Sequence, residues 1–125
     1  AVVGAGGFVG TRMVEALALD GQAGTRAIVR SYKNLASLCR FGSAVDVRRS
    51  DAERLDQLIE AFDGVDTVVN ATTGPPAGIT RSTRAIHDAC LRAGVTRLIH
   101  LSSATVYGDV AQPFPDDAPP LDKHW

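Results

Sequence analysis

Apolar positions along the chain fall into short β-rich runs separated by longer stretches with helical spacing. Ala1–Val3 reads as the stub of a first strand. From Val9 to Leu19 the apolar residues Val9, Met13, Ala16 and Leu17 share one helical face, and Asp20-Gly21 ends the run. Thr25–Val29, rich in β-branched residues, reads as a second strand. The pattern then predicts a helix around Asn34–Arg40 and a short third strand over Ala44–Val47. Glu53–Phe62 places Leu55, Leu58, Ile59 and Phe62 on one face of a helix, with Gly64 suited to its C-terminal turn. Asp66–Ala71 is a fourth strand whose Val68-Val69 pair predicts burial on both faces. Gly74-Pro75-Pro76 marks a loop, Thr80–Ala93 a helix closed by Gly94, and Arg97–Leu101 a fifth strand.

Strands alternating with helices through short turns predict an α/β fold: a doubly wound parallel sheet with helices on both faces. At 125 residues the chain is expected to form one domain, over residues 1–125. Gln112–Leu121 stands apart, with four prolines and no helical period. It reads either as a tail or as a loop folded over an active site.

Composition narrows the partners. A formal net charge of -1 with scattered arginines gives no reason to invoke nucleic acid or an anionic membrane surface. No apolar run approaches bilayer length, and nothing resembles a signal peptide. Cys39 and Cys90 fit no metal spacing, no metal site is expected, and reduced thiols point to the cytoplasm. The chain opens on Ala1 with a first apolar run of only three residues, so it is expected to begin inside a longer protein.

The turn between the first strand and the first helix carries glycines at 4, 7 and 10, a GxxGxxG spacing. Binding a diphosphate there needs a tight turn, a backbone without Cβ where the phosphates approach, and a helix start with free N–H groups. Gly4 suits the turn, Gly7 the close approach and Gly10 the packing of helix on sheet. A purely structural turn is the alternative. No GK[ST] follows, which argues against a nucleoside-triphosphatase loop.

The segment Gly4-Ala5-Gly6-Gly7-Phe8-Val9-Gly10 resembles the cofactor loop of the extended short-chain dehydrogenase/reductases, the NAD-dependent epimerase/dehydratase family. Leu101-Ser102-Ser103-Ala104-Thr105-Val106-Tyr107-Gly108 resembles that family's serine segment. The resemblance covers essentially the whole chain. It implies a Rossmann-type domain, here truncated after the fifth strand, with Gly4, Gly6, Gly7, Phe8, Val9 and Gly10 at the dinucleotide. Asp51 would bind the adenine amino group, with Ala52 beside it, while Ala71 and Thr72 would run along the nicotinamide ribose. Ser103 would be the catalytic serine that hydrogen-bonds the reacting oxygen of substrate. Asp51 also reads as a helix N-cap, with Arg54 at the third position.

The second strand ends Val29-Arg30-Ser31, where an enzyme preferring NAD usually has an acid for the ribose 2′-hydroxyl. A guanidinium there suits a 2′-phosphate, so Arg30 tilts the expectation from NAD toward NADP, assisted by Ser31 and Lys33. A solvated strand-end arginine is the alternative. In the resembled family a tyrosine and lysine in YxxxK handle the proton. Tyr32 and Tyr107 both lack that lysine, so the motif is expected beyond Trp125 and the chain alone is expected to be inactive.

The resulting expectation is an NAD(P)-dependent oxidoreductase, epimerase or dehydratase fragment, exchanging hydride between nicotinamide and a secondary alcohol or ketone. Its partners are the dinucleotide and a small-molecule substrate such as a nucleotide sugar or steroid, with a homodimer open for the intact protein. Rival readings are a non-catalytic NAD(P)-binding sensor or scaffold, and a flavin- or mononucleotide-binding relative in fold. A serine hydrolase is excluded by the missing GxSxG elbow; His87 and His100 read as packing or surface residues.

Overall fold

A computed structural model of the chain describes residues 1–21, 24–33, 36–103, 115 and 117. Five strands form one sheet: β1 (Val2–Val3), β2 (Thr25–Val29), β3 (Val45–Arg49), β4 (Thr67–Asn70) and β5 (Arg97–His100). Their order across the sheet is β3-β2-β1-β4-β5, and every neighbouring pair is parallel. Four helices connect them: α1 (Phe8–Leu19), α2 (Ala36–Cys39), α3 (Leu55–Ala61) and α4 (Pro76–Ala93).

Strand alternation divides the core into two layers. On one face Val2, Ala27, Val29, Val69 and Ala71 pack against Val14 of α1 and Leu38 of α2. On the other Val3, Ile28 and Val68 meet Leu58, Phe62, Ile86 and Ala89 from α3, its C-terminal cap and α4. Val68 and Val69 are thus buried on opposite faces, as expected of a central parallel strand. The fold is a Rossmann-type α/β sheet wrapped on both sides.

Most boundaries differ from the sequence reading by one or two residues, and three differences have a local reason. Strand β3 continues through Arg48 and Arg49, which pair in register with Ile28 and Val29. It is an edge strand, so charged side chains remain in solvent while the backbone completes the ladder. Helix α4 begins at Pro76 rather than Thr80, because proline at the first helical position lacks only an N–H that would have no helical partner. Helix α3 begins at Leu55 with Arg54 as its N-cap, so Asp51 is not the cap of that helix. Instead Asp51 Oδ1 accepts the Glu53 N–H at 3.0 Å and holds the turn that precedes it. Asn34, Ala104–Gly108 and all of Gln112–Leu121 except Pro115 and Asp117 lie outside the described residues.

Candidate functional site

The sheet order reverses direction at β1: successive strands run outward to β2 and β3 on one side, and to β4 and β5 on the other. In an open parallel sheet this reversal leaves a crevice at the carboxyl ends of the two central strands. The glycine loop leaves β1 there, Ala71-Thr72-Thr73 leaves β4, and Ser102-Ser103 follows β5. Because all five strands are parallel, these segments lie on one edge of the sheet.

Glycine geometry separates protein packing from ligand clearance. Gly4 has φ of 82°, and a Cβ there would stand 2.7 Å from the Ala71 carbonyl oxygen. At Gly10 a Cβ would lie 2.8 Å from Ala5 Cα and overlap the Gly4 carbonyl, so helix α1 can seat on the strand end only with glycine. Both glycines are therefore required by the chain itself. Gly6 is different. Its φ is ordinary, and among the described residues a Cβ would meet only Val29 Cγ1 at 3.8 Å, an unstrained contact. Gly7 is intermediate, with the Gly4 carbonyl 3.3 Å from its hypothetical Cβ. Gly7 is the N-cap of α1, with no side-chain cap and no acid in the first turn, so no capping side chain occupies the opening amides of the helix.

Gly4, Gly6 and Gly7 line a groove with Arg30, Ser31, Lys33, Ser50, Ala52, Ala71 and Thr72. Ser50 is 3% exposed, and its hydroxyl has no hydrogen-bond partner among the described residues. A buried orphan hydroxyl is costly unless a ligand satisfies it. At the mouth of the groove the Arg30 and Lys33 side chains are exposed and make no ion pair with any described residue. The groove thus combines the glycine loop up to the N-cap of α1 with a deep polar atom and two cations that have no partner among the described residues. That donor set fits a phosphorylated dinucleotide.

A second cavity adjoins the first. Val9, Ala71, Thr72, Thr73, His100 and Ser103 contribute to its wall, with Thr80, Thr83, Arg84 and His87 from α4. Ala71, Thr72 and Thr73 line both spaces, so the turn after β4 is their common wall. The backbone turn at Thr72 is fixed by Asn70, whose Oδ1 accepts the Thr72 N–H at 3.0 Å and the Thr72 hydroxyl at 2.7 Å.

Most residues singled out from the sequence converge here. Gly4, Gly6, Gly7, Arg30, Ala52, Ala71 and Thr72 share the groove, while Val9 and Ser103 share the neighbouring cavity. Phe8 does not face either one. It is 85% exposed and lines an adjoining recess with Thr11, Arg12, Ser37 and Arg40, which shares Gly6 and Gly7 with the groove. Gly10 is buried beneath the loop. Asp51 stands between the groove residues Ser50 and Ala52; its backbone N–H donates to Gln57 Oε1 at 3.0 Å. Sequence reasoning gave no role of their own to Ser50, Asn70, Thr73 and the polar face of α4, and placed His87 and His100 in packing or surface roles although both line the second cavity. The spacing Thr80, Thr83, Arg84, His87 was a visible signal, since it marks one helical face.

Among the described residues, no group of three or more His, Cys, Asp or Glu side chains could hold a metal ion, and no helix is long and apolar enough to cross a membrane. Cys39 is exposed and Cys90 buried, and burial pushes the Cys90 thiol pKa up.

No curated protein matches the chain. Among solved structures it is similar to a nucleoside-diphosphate-sugar epimerase from Pseudomonas aeruginosa, at 24% identity and TM-score 0.74, covering 91% of this chain and 36% of that one. It is also similar to a UDP-glucose-4-epimerase from Stenotrophomonas maltophila, solved with NAD and a formylated UDP-arabinopyranose; identity is 21%, TM-score 0.78, and coverage 96% and 41%. A third is an NADPH-dependent quinone oxidoreductase from Escherichia coli solved with NADPH, at 22% identity, TM-score 0.64, and coverage 79% and 35%. At these identities the likeness is one of fold, and the chain spans well under half the length of each. The sequence pattern of the NAD(P)H-binding family, by contrast, matches residues 4–124, and with a glycine loop, switch-point crevice and groove in keeping with it, the chain belongs to that family.

Proposed function

We propose that the groove binds NADP(H) in preference to NAD(H), and that the protein is part of an oxidoreductase, epimerase or dehydratase acting on a secondary alcohol or ketone. The observation that carries this reading is Gly6: no described residue requires glycine there, and its bare backbone lines the groove shared with the orphan hydroxyl of Ser50. When bound, the nicotinamide supplies or accepts a hydride at its C4. The backbone around Gly6 and Gly7 approaches the diphosphate, and the start of α1 supplies amide donors and a favourable dipole. Arg30, with Lys33 nearby, offers forked donors to a 2′-phosphate. Asp51 keeps one carboxylate oxygen without a partner among the described residues, suited to an adenine amino group. Ala52 supports the same end, while Ala71 and Thr72 run beside the nicotinamide ribose.

In the second cavity Ser103 would donate to the reacting oxygen and hold it near the nicotinamide end. The extended short-chain dehydrogenase/reductase resemblance supports that role, as does the shared Thr72 wall between the cavities. A nucleotide sugar is the favoured substrate class, because two solved proteins of similar fold are described as acting on such compounds. The cytoplasm is the proposed compartment and a homodimer the proposed assembly of the intact protein.

Titration of the chain with NADPH, NADH and FMN tests the reading. Saturable binding ordered NADPH over NADH over FMN is expected. FMN as the tightest ligand, or no binding of either nicotinamide cofactor, overturns it.

A further inference from the structure

Asn70, at the end of β4, is 1% exposed, and its amide has a polar neighbour on every side. Oδ1 accepts from the Thr72 backbone N–H at 3.0 Å and from the Thr72 hydroxyl at 2.7 Å. Nδ2 lies 3.1 Å from His100 Nδ1 on β5 and 3.5 Å from Thr83 Oγ1 on α4.

This network has one consistent assignment of hydrogens. A backbone N–H can only donate, so the amide oxygen must face Thr72 and the NH2 must face β5 and α4. An amide NH2 can only donate as well, so His100 Nδ1 must be the accepting, unprotonated nitrogen. A neutral imidazole then carries its single ring hydrogen on Nε2.

We propose that Asn70 is a positioning residue that locks His100 as the Nε2–H tautomer, so that the wall of the Ser103 cavity presents a fixed N–H donor for a carbonyl or hydroxyl oxygen. His100 lines that cavity, and Nε2 has no partner among the described residues. With Nδ1 committed and Nε2 protonated, the ring offers no free lone pair to a ligand. The neighbouring polar groups from α4 are Thr83, Arg84 and His87, with Thr72 from the turn after β4. One buried amide therefore sets two things together: the Thr72 turn between the cavities and the donor on β5. The chemistry of the recognised oxygen rests on the proposed function; the tautomer rests on the hydrogen bonds alone.

The test is imidazole 15N NMR on the full chain labelled with 15N-histidine. His100→Gln assigns the signal. The expected pattern for His100 is an unprotonated Nδ1 and a protonated Nε2. In Asn70→Asp the carboxylate still accepts from Thr72 but now also accepts from the ring, so the proton should move to Nδ1 and the pattern reverse. An Nδ1–H ring or a tautomer mixture in the unaltered chain overturns the proposal, as does an unchanged pattern in Asn70→Asp. Should that variant not fold, the spectrum of the unaltered chain decides alone. With saturating NADP+, cyclohexanone is expected to shift Nε2–H of His100 more than Nδ1, and a response confined to other residues overturns the donor role. Failure of NADPH to bind counts against the dinucleotide site and is read separately from the tautomer.

Discussion

The carbonyl oxygen of Ala71 stands 2.7 Å from the point a Cβ on Gly4 would occupy, which seats the end of β4 directly against the turn leaving β1. Gly4→Ala must therefore accept a left-handed backbone and push the β4 end away. Left-handed strain costs about 1–2 kcal/mol, and overpacking adds about 1–3 kcal/mol. A loss of roughly 2–5 kcal/mol is expected in urea unfolding, with dinucleotide binding lost as the groove spreads.

Gly6→Ala should behave in the opposite way. Among the described residues its Cβ would meet only Val29 Cγ1, at 3.8 Å, so stability is expected to hold within about 0.5 kcal/mol. NADPH affinity should fall at least tenfold, because the methyl would occupy the face of the groove. Unchanged affinity in a calorimetric titration would return Gly6 to a structural role.

Arg30→Ala separates the two cofactors. Hydrogen bonds to a charged group are worth about 1.5–3 kcal/mol, so NADPH should weaken roughly ten- to a hundredfold while NADH changes little. The unaltered chain's NADPH affinity should also fall with added salt more steeply than its NADH affinity. Equal losses for both cofactors would mark Arg30 as a solvated residue.

Acid should loosen the outer sheet through Asp46. Hydrogen bonds from Arg48 and then Arg26 hold its carboxyl below the usual aspartate range. A lowered folded pKa contributes stability above the ordinary value, near 3.9, that is lost as pH falls through the folded value. Asp46 is 41% exposed, so solvent screening limits the effect to under about 1 kcal/mol. Asp46→Asn should flatten the fall in stability below about pH 4, measured as urea midpoints against pH. Arg26 is the more consequential partner. Its Nη1 also donates to the Ala61 and Asp63 carbonyls at 2.8 Å, tying β2 to the end of α3.

The chain alone is expected to bind the dinucleotide without turning over substrate. It has only Tyr32 and Tyr107, and neither is followed by lysine four positions on. Stopped-flow fluorescence of NADPH with a panel of ketones should report binding and no oxidation. Measured turnover would contradict this and assign the proton step to residues within the 125.

What the sequence disclosed tracks how local the physics is. Strand Thr25–Val29 and the helix ending at Leu19 follow from β-branched content and from Asp20-Gly21, and both appear with those limits. The α4 start was obscured because Pro75-Pro76 reads as a breaker, whereas the second proline opens the helix. At the site, Gly4 and Gly10 were legible from spacing, but only coordinates separate them from Gly6, since the distinction depends on what lies across from each. The individual roles of Asn70 and Ser50 were hidden for a related reason: burial and the presence or absence of a partner are set by strands far apart in sequence.

The turn Ala71-Thr72-Thr73 belongs to two chambers at once. Under the proposed assignment of the two chambers, a change there made to admit a different substrate would be felt on its other side by the cofactor, so the two preferences would drift together. Selection for a new substrate would find easier ground on α4, at Thr80, Thr83, Arg84 or His87, where the second chamber can be resculpted without disturbing the first.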